Sequence, residues 1–309
     1  MAILVVGSVA FDAIETPSGR RDRCLGGAAT YFSLAASHFT DVRVIGVVGE
    51  DFGADEEAVL TRRGIDTRGI EHVPGKSFFW SGSYMKNLNE AQTLNTELNV
   101  FQSFSPKIPA EYRDSEYLFL ANIDPVLQQD VRRKMPKVKM VCGDTMNYWI
   151  NGHGENLARV LRTLDGLLIN DTEAKLLAKQ NNLVRAARNI LDMGPKSLVV
   201  KHGEYGATAF FGESAFDGEA CSTPFRAPAL PLAEVVDPTG AGDSFAGGFF
   251  GYIASQPVLT PAAFRRAMFY GSVMGSFAVE RFGTERLQHL RKEEIEDRFA
   301  LFRQLSHLD

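Results

Sequence analysis

The sequence predicts an α/β fold: a doubly wound, mostly parallel sheet with helices on both faces, joined to a small β-sheet lid. Three observations carry this reading. Short β-branched runs alternate with amphipathic segments of helical length along most of the chain, the pattern of repeated βαβ units. One stretch, residues 73–104, breaks that rhythm with polar-apolar alternation, as a sheet with one wet face would. The composition, 45% hydrophobic and 23% charged, is that of a globular chain and excludes global disorder, collagen and coiled coil.

The elements follow in order. Residues 3–9 read as a buried strand ending at Gly7-Ser8. Residues 26–39 read as a helix, with Tyr31, Leu34, Ala35 and Phe39 on one face. Residues 42–48 form the next strand, and 56–63 a helix stopped by Gly64. Residues 73–104, rich in Phe, Trp, Tyr, Thr, Ser and Asn, predict a small antiparallel sheet. Residues 11–25 are similarly irregular, and the two segments are expected to pair into one lid. Strands then fall at 117–120, 140–142, 166–169 and 197–201, with helices at 155–164, 172–180 and 184–193 between them. Residues 207–211 and 213–224 suggest an antiparallel hairpin. Helices at 240–255, 261–280 and 293–305 close the chain. We read residues 1–309 as a single domain carrying the lid from about 11–25 and 73–104.

Charge and cysteines bound the partners. Thirty-three basic against 38 acidic side chains leave a net charge of −5, so neither nucleic acid nor an anionic membrane is an expected partner. Cys24, Cys142 and Cys221 lie far apart with no CxxC, which suggests a reducing compartment and no zinc ribbon. The apolar start lacks the basic flank and length of a signal peptide, and no run reaches about 18 apolar residues. Cytoplasm is the expected location.

The stretch richest in chemistry runs from Val235 through Asp237-Pro238-Thr239-Gly240-Ala241-Gly242-Asp243 to Gly248. Asp-Pro resists helix, and three small residues then open one. A helix start has unpaired N–H groups and a positive dipole end. Without side-chain bulk at Gly240, Ala241 and Gly242, an anion such as phosphate can approach those groups. Asp243 follows in the first turn, where a carboxylate can take the proton of a hydroxyl attacking phosphorus.

Asp-Pro-Thr-Gly-Ala-Gly-Asp-Ser-Phe-Ala-Gly-Gly closely resembles a signature of the ribokinase-like (PfkB-type) carbohydrate kinases. The resemblance extends over nearly the whole chain: Gly26-Gly27 before a helix, Gly46 to Gly53, Gly64-Ile65-Asp66, Asn170-Asp-Thr-Glu173, and Val200-Lys-His-Gly203-Glu-Tyr-Gly206. It implies a ribokinase-like fold and transfer of the γ-phosphoryl group of ATP to a primary hydroxyl of a sugar or nucleoside, with Mg²⁺. It also implies roles by position. Asp243 would be the base, and Gly240, Ala241 and Gly242 the anion hole. Asp12, Gly26 and Gly27 would bind the acceptor's hydroxyls. Asn170 and Glu173 would hold Mg²⁺ through water, and Lys201 and Gly203 would meet the nucleotide. Asp237 and Thr239, near Gly283, match a loop that binds a monovalent cation such as K⁺ in some members. Taken alone, Asn170 and Glu173 also suit a helix cap and a surface acid. Residues 271–278, all small or modest, would let a helix lie against adenine or simply pack closely on another helix.

The chain departs from the family in one place. Many sugar-specific members carry Asn five residues after the first glycine of the pair, where Tyr31 stands here. The lid's Phe78, Phe79, Trp80 and Tyr84 would suit stacking on a nucleoside base, the lid's own core, or a lid-to-lid homodimer. Arg20, Arg21 and Arg23 would meet an anionic substrate or form a solvated edge. Rival motifs fail. Gly75-Lys76-Ser77 has Ile70 where a P-loop needs glycine, and Gly240-Ala-Gly242 has Phe245 where a dinucleotide fingerprint needs its third glycine. The remaining alternative is a non-catalytic sugar or nucleoside sensor that keeps the fold.

Overall fold

The computed structural model describes residues 1–213, 215–216 and 223–306. Its strands are β1 (Ala2–Val6), β2 (Ala10–Thr16), β3 (Gly19–Gly26), β4 (Asp41–Val48), β5 (Asp66–His72), β6 (Phe78–Ser83), β7 (Gln92–Glu97), β8 (Tyr117–Leu120), β9 (Met140–Gly143), β10 (Gly166–Asn170), β11 (Ser197–Lys201), β12 (Ala207–Phe211) and β13 (Phe225–Ala227). The helices are α1 (Ala28–Ala36), α2 (Ala54–Thr61), α3 (Pro125–Lys134), α4 (Asn147–Gly152), α5 (Gly154–Leu161), α6 (Asp171–Ala178), α7 (Leu183–Asp192), α8 (Ala241–Ser255), α9 (Pro261–Ala278), α10 (Glu285–Gln288) and α11 (Lys292–Leu305).

Nine strands form the main sheet in the order β13-β12-β11-β10-β9-β8-β1-β4-β5. From β11 to β5 every pairing is parallel, while β12 and β13 return antiparallel at one edge. Alternate residues of β1 show why both faces need helices. Ile3 and Val5 pack with α1, α8 and α9, whereas Leu4 and Val6 pack with α3, α5 and α7. The chain leaves β1 toward β4 and β5, then returns to build outward through β8 on the other side. Such a reversal opens a crevice at the carboxyl ends of the strands, where open α/β sheets take their ligands.

The lid is a second, four-stranded sheet, β3-β2-β6-β7. Residues 11–25 and 73–104 do pair; within 73–104 β6 and β7 are antiparallel as the sequence predicts, while the joined sheet is mixed. β2 and β6 run parallel because the chain passes through α1, β4, α2 and β5 between them, and no hairpin joins them. Most of the lid's rings serve packing. Phe78 stacks on Phe101, Phe79 lies against the main core, and Trp80 and Tyr84 join Ile14, Phe282 and Val236. The arginines form the edge: Arg20 pairs with Asp22, Arg21 lies over Phe282, and Arg23 covers Phe11.

Four elements lie beyond the sequence reading. β5 is a half-polar edge strand, Asp-Thr-Arg-Gly-Ile-Glu-His, without the apolar run that marks a strand. α3 is mostly polar, yet Asp124 caps it by accepting from the Val126 N–H at 2.8 Å, and Pro125 fills its first turn. α4 and α10 are too short to show periodicity. The return strand expected within 213–224 falls largely outside the described residues, and the described partner of β12 is β13. The small residues of 271–278 serve helix packing: a Cβ on Gly271 would meet the Phe245 ring at 2.9 Å. No helix among the described residues is long and apolar enough to cross a membrane.

Candidate active site

The parallel strands deliver a row of polar groups to one edge. Asp144 follows β9, Asn170 ends β10 and Lys201 ends β11, with Asn170 and Lys201 paired in register. α8 opens opposite them. A Cβ on Gly242 would stand 3.0 Å from the Lys201 Nζ, so the ammonium lies directly beside the glycines. Asp144 anchors that ammonium, with its Oδ2 3.6 Å from Nζ and both side chains largely buried. Burial works against the lysine's charge, but Asp144, Glu173 and Asp243 hold its pKa above the ordinary value.

The turn expected to form the anion hole opens α8, with one of its three amides occupied. Gly240 caps α8 in the left-handed conformation at φ 71, which favours glycine. The Ala241 N–H is spent on the Pro238 carbonyl at 3.2 Å. The Gly240 and Gly242 N–H groups have no acceptor among the described residues, so these two, with Lys201, make the cradle.

Asp243 sits at its rim, still reached by solvent yet surrounded by protein. Burial first, then the charge of Asp144, pushes its carboxyl up to about 7 against the pull of Lys201. Glu173 is pushed to about 7 by the same causes. Asn170 and Glu173 form a capping box at the start of α6. Asn170 Oδ1 accepts from the Glu173 N–H, and Glu173 Oε2 accepts from the Asn170 N–H, each at 2.8 Å. The helix cap is therefore formed, but Glu173 is no surface acid: the cap holds its carboxylate in partly buried surroundings near Asp144, Lys201 and Asp243. Beside them lies a polar cavity of about 800 Å³ whose lining includes Asn147, Asn170, Lys201, Gly203 and Thr208. The lid reaches this cavity too. Asn89 lies against Gly203 and donates to Glu204 at 3.2 Å.

The lid side of the crevice is built on Asp12. Its Oδ2 lies across Gly26, only 1.9 Å from where a Cβ there would be, and the nearby Gly27 backbone favours its charged form. The three residues predicted to bind an acceptor thus meet at one point. Ser8 finishes the corner: its hydroxyl accepts from Ala28 N–H at 2.9 Å and its carbonyl from Ala29 N–H at 3.0 Å, which caps α1. Burial, then Asp237 and Asp243, raises the Asp12 carboxyl from 3.8 to about 8. Between about pH 4 and 8 the folded protein keeps that proton while the unfolded chain releases it, so the contribution favours folding below this window and is lost through it. The melting temperature of the ligand-free protein is expected to fall from about pH 5 to 8, and less steeply in Asp12→Asn. Parallel slopes in thermal melts of the two proteins would remove Asp12 as the cause.

Asp237 is fully buried. Its oxygens accept from the Thr239 and Gly283 N–H groups, each at 2.8 Å, which brings these three residues into one turn. The lid clips onto it, with Thr16 Oγ1 donating to the Val236 carbonyl at 2.8 Å and Thr239 Oγ1 to Tyr84 Oη at 3.3 Å. Sequence reasoning missed Asp144 and Asn89. Asp144 had a signal, since an acid just past the carboxyl end of a predicted parallel strand lies where such sheets bind ligands. Asn89 had none, because only the tertiary path of the lid brings it to Gly203.

No group of three or more His, Cys, Asp or Glu among the described residues forms a protein-only metal cage. The donor set still fits Mg²⁺, which keeps most of its waters and binds through one or two carboxylates and phosphates. Asp144, Glu173 and Asp243 outnumber the single Lys201.

Polar strand ends of a parallel sheet facing a glycine-opened helix make an arrangement suited to an anion such as phosphate. Residues 2–290 match the model of the pfkB family carbohydrate kinase, and the chain belongs to that family. It is a phosphotransferase with an alcohol group as acceptor. It is 28% identical over 264 residues to a cytidine kinase of Thermococcus kodakarensis, covering 83% of this chain and 90% of that one. It is 27% identical over 274 residues to an ATP-dependent ribose-1-phosphate kinase of Halopiger xanaduensis, covering 84% and 81%. The solved nucleoside kinase of Methanocaldococcus jannaschii shares its fold, with a TM-score of 0.76, 19% identity, and 97% and 98% of the two chains covered.

Proposed function

We propose that this enzyme transfers the γ-phosphoryl group of ATP to a primary hydroxyl of a nucleoside, with a free sugar as the second choice, and that Asp243 is the general base. The observation that carries this is Asp243 at the mouth of α8, between the Gly240 and Gly242 amides and the acceptor corner of Asp12, Gly26 and Gly27. In the mechanism, Asp12 and the Gly26-Gly27 backbone orient the acceptor, and Asp243 takes its proton as the oxygen attacks phosphorus in line. The Gly240 and Gly242 N–H groups, with Lys201, receive the negative charge of the transferring group. Ala241, whose own amide is occupied, keeps that cradle open by its small size. Gly203 lets the nucleotide approach its turn. The lid excludes water.

Asn170 and Glu173 would hold Mg²⁺ through water, with Asp144 adding charge nearby; the ion would screen the phosphates. In Glu173→Gln the Mg²⁺ concentration for half-maximal activity is expected to rise about tenfold, in line with other outer-sphere changes. A Mg²⁺ titration that overlays the parent's would remove Glu173 from this role. Asp237 already accepts from two backbone amides, so we give it a loop-fixing role ahead of the K⁺ role. A rate that climbs when K⁺ replaces choline would restore the cation.

The nucleoside is favoured by the lid. Trp80 pairs directly with Asp12 across β2 and β6, so both side chains share one face, and its indole lies over Gly82. A flat ring beside the sugar-binding acid suits a base. ATP consumption measured with cytidine, inosine, ribose and ribose 1-phosphate tests this. Ribonucleosides should turn over fastest. Turnover of the free sugar alone would reverse the choice, and binding without turnover across the panel would favour the sensor. A lid-to-lid homodimer fits the exposure of every residue of the edge strand β7. Light scattering that gives the mass of one 34.0 kDa chain would exclude it. A cytoplasmic setting accords with the free thiols of Cys24 and Cys142.

A further inference from the structure

The turn joining β6 to β7 is longer than the lid requires. A hairpin reverses in about two to five residues, whereas this one runs through residues 84–91. Its base is anchored in the lid, where Tyr84 is buried and Leu88 packs against the cluster of Ile14, Tyr84 and Phe282. Its tip is ordered by Asn87. The Asn87 Oδ1 accepts from the Asn89 N–H at 2.9 Å, and the Asn87 carbonyl accepts from the Glu90 N–H at 3.3 Å. The extra length carries Asn89 out of the lid sheet and onto the turn after β11.

There the contact is close. A Cβ on Gly203 would fall 2.1 Å from the Asn89 Oδ1, so the amide lies where no side chain fits. Its Nδ2 donates to Glu204 at 3.2 Å. Asn89, Glu90 and Ala91 form the lid's share of the polar cavity of about 800 Å³, which Asn170 and Lys201 also line. Lys201 in turn borders Gly242 of the cradle. The corner proposed for the acceptor is built on other parts of the lid, with Asp12 on β2 and Gly26 at the end of β3. The hairpin tip therefore meets the groups assigned to the phosphoryl donor.

We infer that Asn89 is a donor-binding residue whose side-chain amide hydrogen-bonds the phosphate chain of ATP, so that one lid serves acceptor and donor alike. The inference rests on the proposed kinase reading and deepens it. A carboxamide suits the place, because its two N–H donors can serve Glu204 and a phosphate oxygen at once. It also adds no charge to a wall that already carries Glu90 and Asp171. Those acids suit phosphates that arrive with Mg²⁺.

The test is calorimetric binding of ADP and of the β,γ-imido analogue of ATP, each with Mg²⁺, which needs no turnover. In Asn89→Ala both Kd values should rise about tenfold, the worth of a hydrogen bond to a charged group. In Asn89→Asp they should rise further, since a carboxylate repels phosphate. The acceptor KM should stay within about twofold in both variants, with the acceptor that the parent turns over fastest among cytidine, inosine, ribose and ribose 1-phosphate. Glu204→Ala removes the partner that docks the amide but leaves the amide itself, and its nucleotide Kd values should stay within about twofold of the parent's. Parental nucleotide affinity in Asn89→Ala would overturn the inference. So would an Asn89→Asp protein that binds nucleotide as well as the parent, since a carboxylate can replace the amide at a ribose hydroxyl but cannot do so at a phosphate. A tenfold loss in Glu204→Ala would overturn it too, by giving Asn89 a role in lid docking alone. A parent that binds neither nucleotide would instead defeat ATP as the donor, and this inference with it.

Discussion

Asp243→Asn is expected to lower kcat by roughly 10²–10⁴, the usual worth of a positioned general base, with little change in either KM. Asparagine keeps the volume and the first-turn position but cannot take the proton. The pH profile supplies an independent reading. Burial and Asp144 push the Asp243 carboxyl up to about 7, so the parent's kcat/KM should climb as pH rises through that region, where the acid becomes the base. In the variant that limb should disappear. A variant with parental turnover, or one that keeps the limb, would take the base role from Asp243.

Gly240→Ala should be nearly as damaging, for a reason that involves no ionisable group. The position needs φ 71, and a methyl group would meet three carbons of the Tyr31 ring at 2.3–2.4 Å. Backbone held in the left-handed region costs a non-glycine residue about 1–3 kcal/mol, and the clash must move the start of α8 or the ring. Misplacing a reacting geometry by about 1 Å costs on the order of 10² in rate. We expect a loss of about 10² in kcat/KM with a lowered melting temperature. Gly242→Ala makes the informative contrast: its methyl would meet the Lys201 Nζ, the free end of a flexible chain, at 3.0 Å. It should leave stability alone while still crowding one of the two free amides. If Gly240→Ala keeps parental kcat/KM, the cradle is not where the phosphoryl group passes.

Much of this was legible in the sequence for physical reasons. The central strands are buried on both faces and read as apolar runs, so 117–120, 197–201 and 207–211 are found within a residue. Asp243 and its glycines could be singled out because an apolar pair, Asp-Pro-Thr, Gly-Ala-Gly-Asp and a long helix occur in order. The half-polar edge strand β5 and the charged helix α3 were not legible, since periodicity speaks only where one face is strongly apolar. The parallel pairing of β2 with β6 was hidden because partners are chosen by the path of the whole chain. Asp144 was overlooked as a single acid in Gly-Asp-Thr, and only the meeting of three strand ends shows it steering both Lys201 and Asp243. Asn170 and Glu173 carry a cap and a candidate metal contact at once, a double duty that spacing alone cannot separate.

Thr16 and Tyr84 are borne by the lid, whereas Val236 and Thr239 lead straight into the cradle's first glycine. Two hydroxyls thus tie the small sheet to the turn that opens α8, so a shift of one is passed to the other. In the proposed kinase, a loosened clip would be felt both where the acceptor sits and where the phosphoryl group passes.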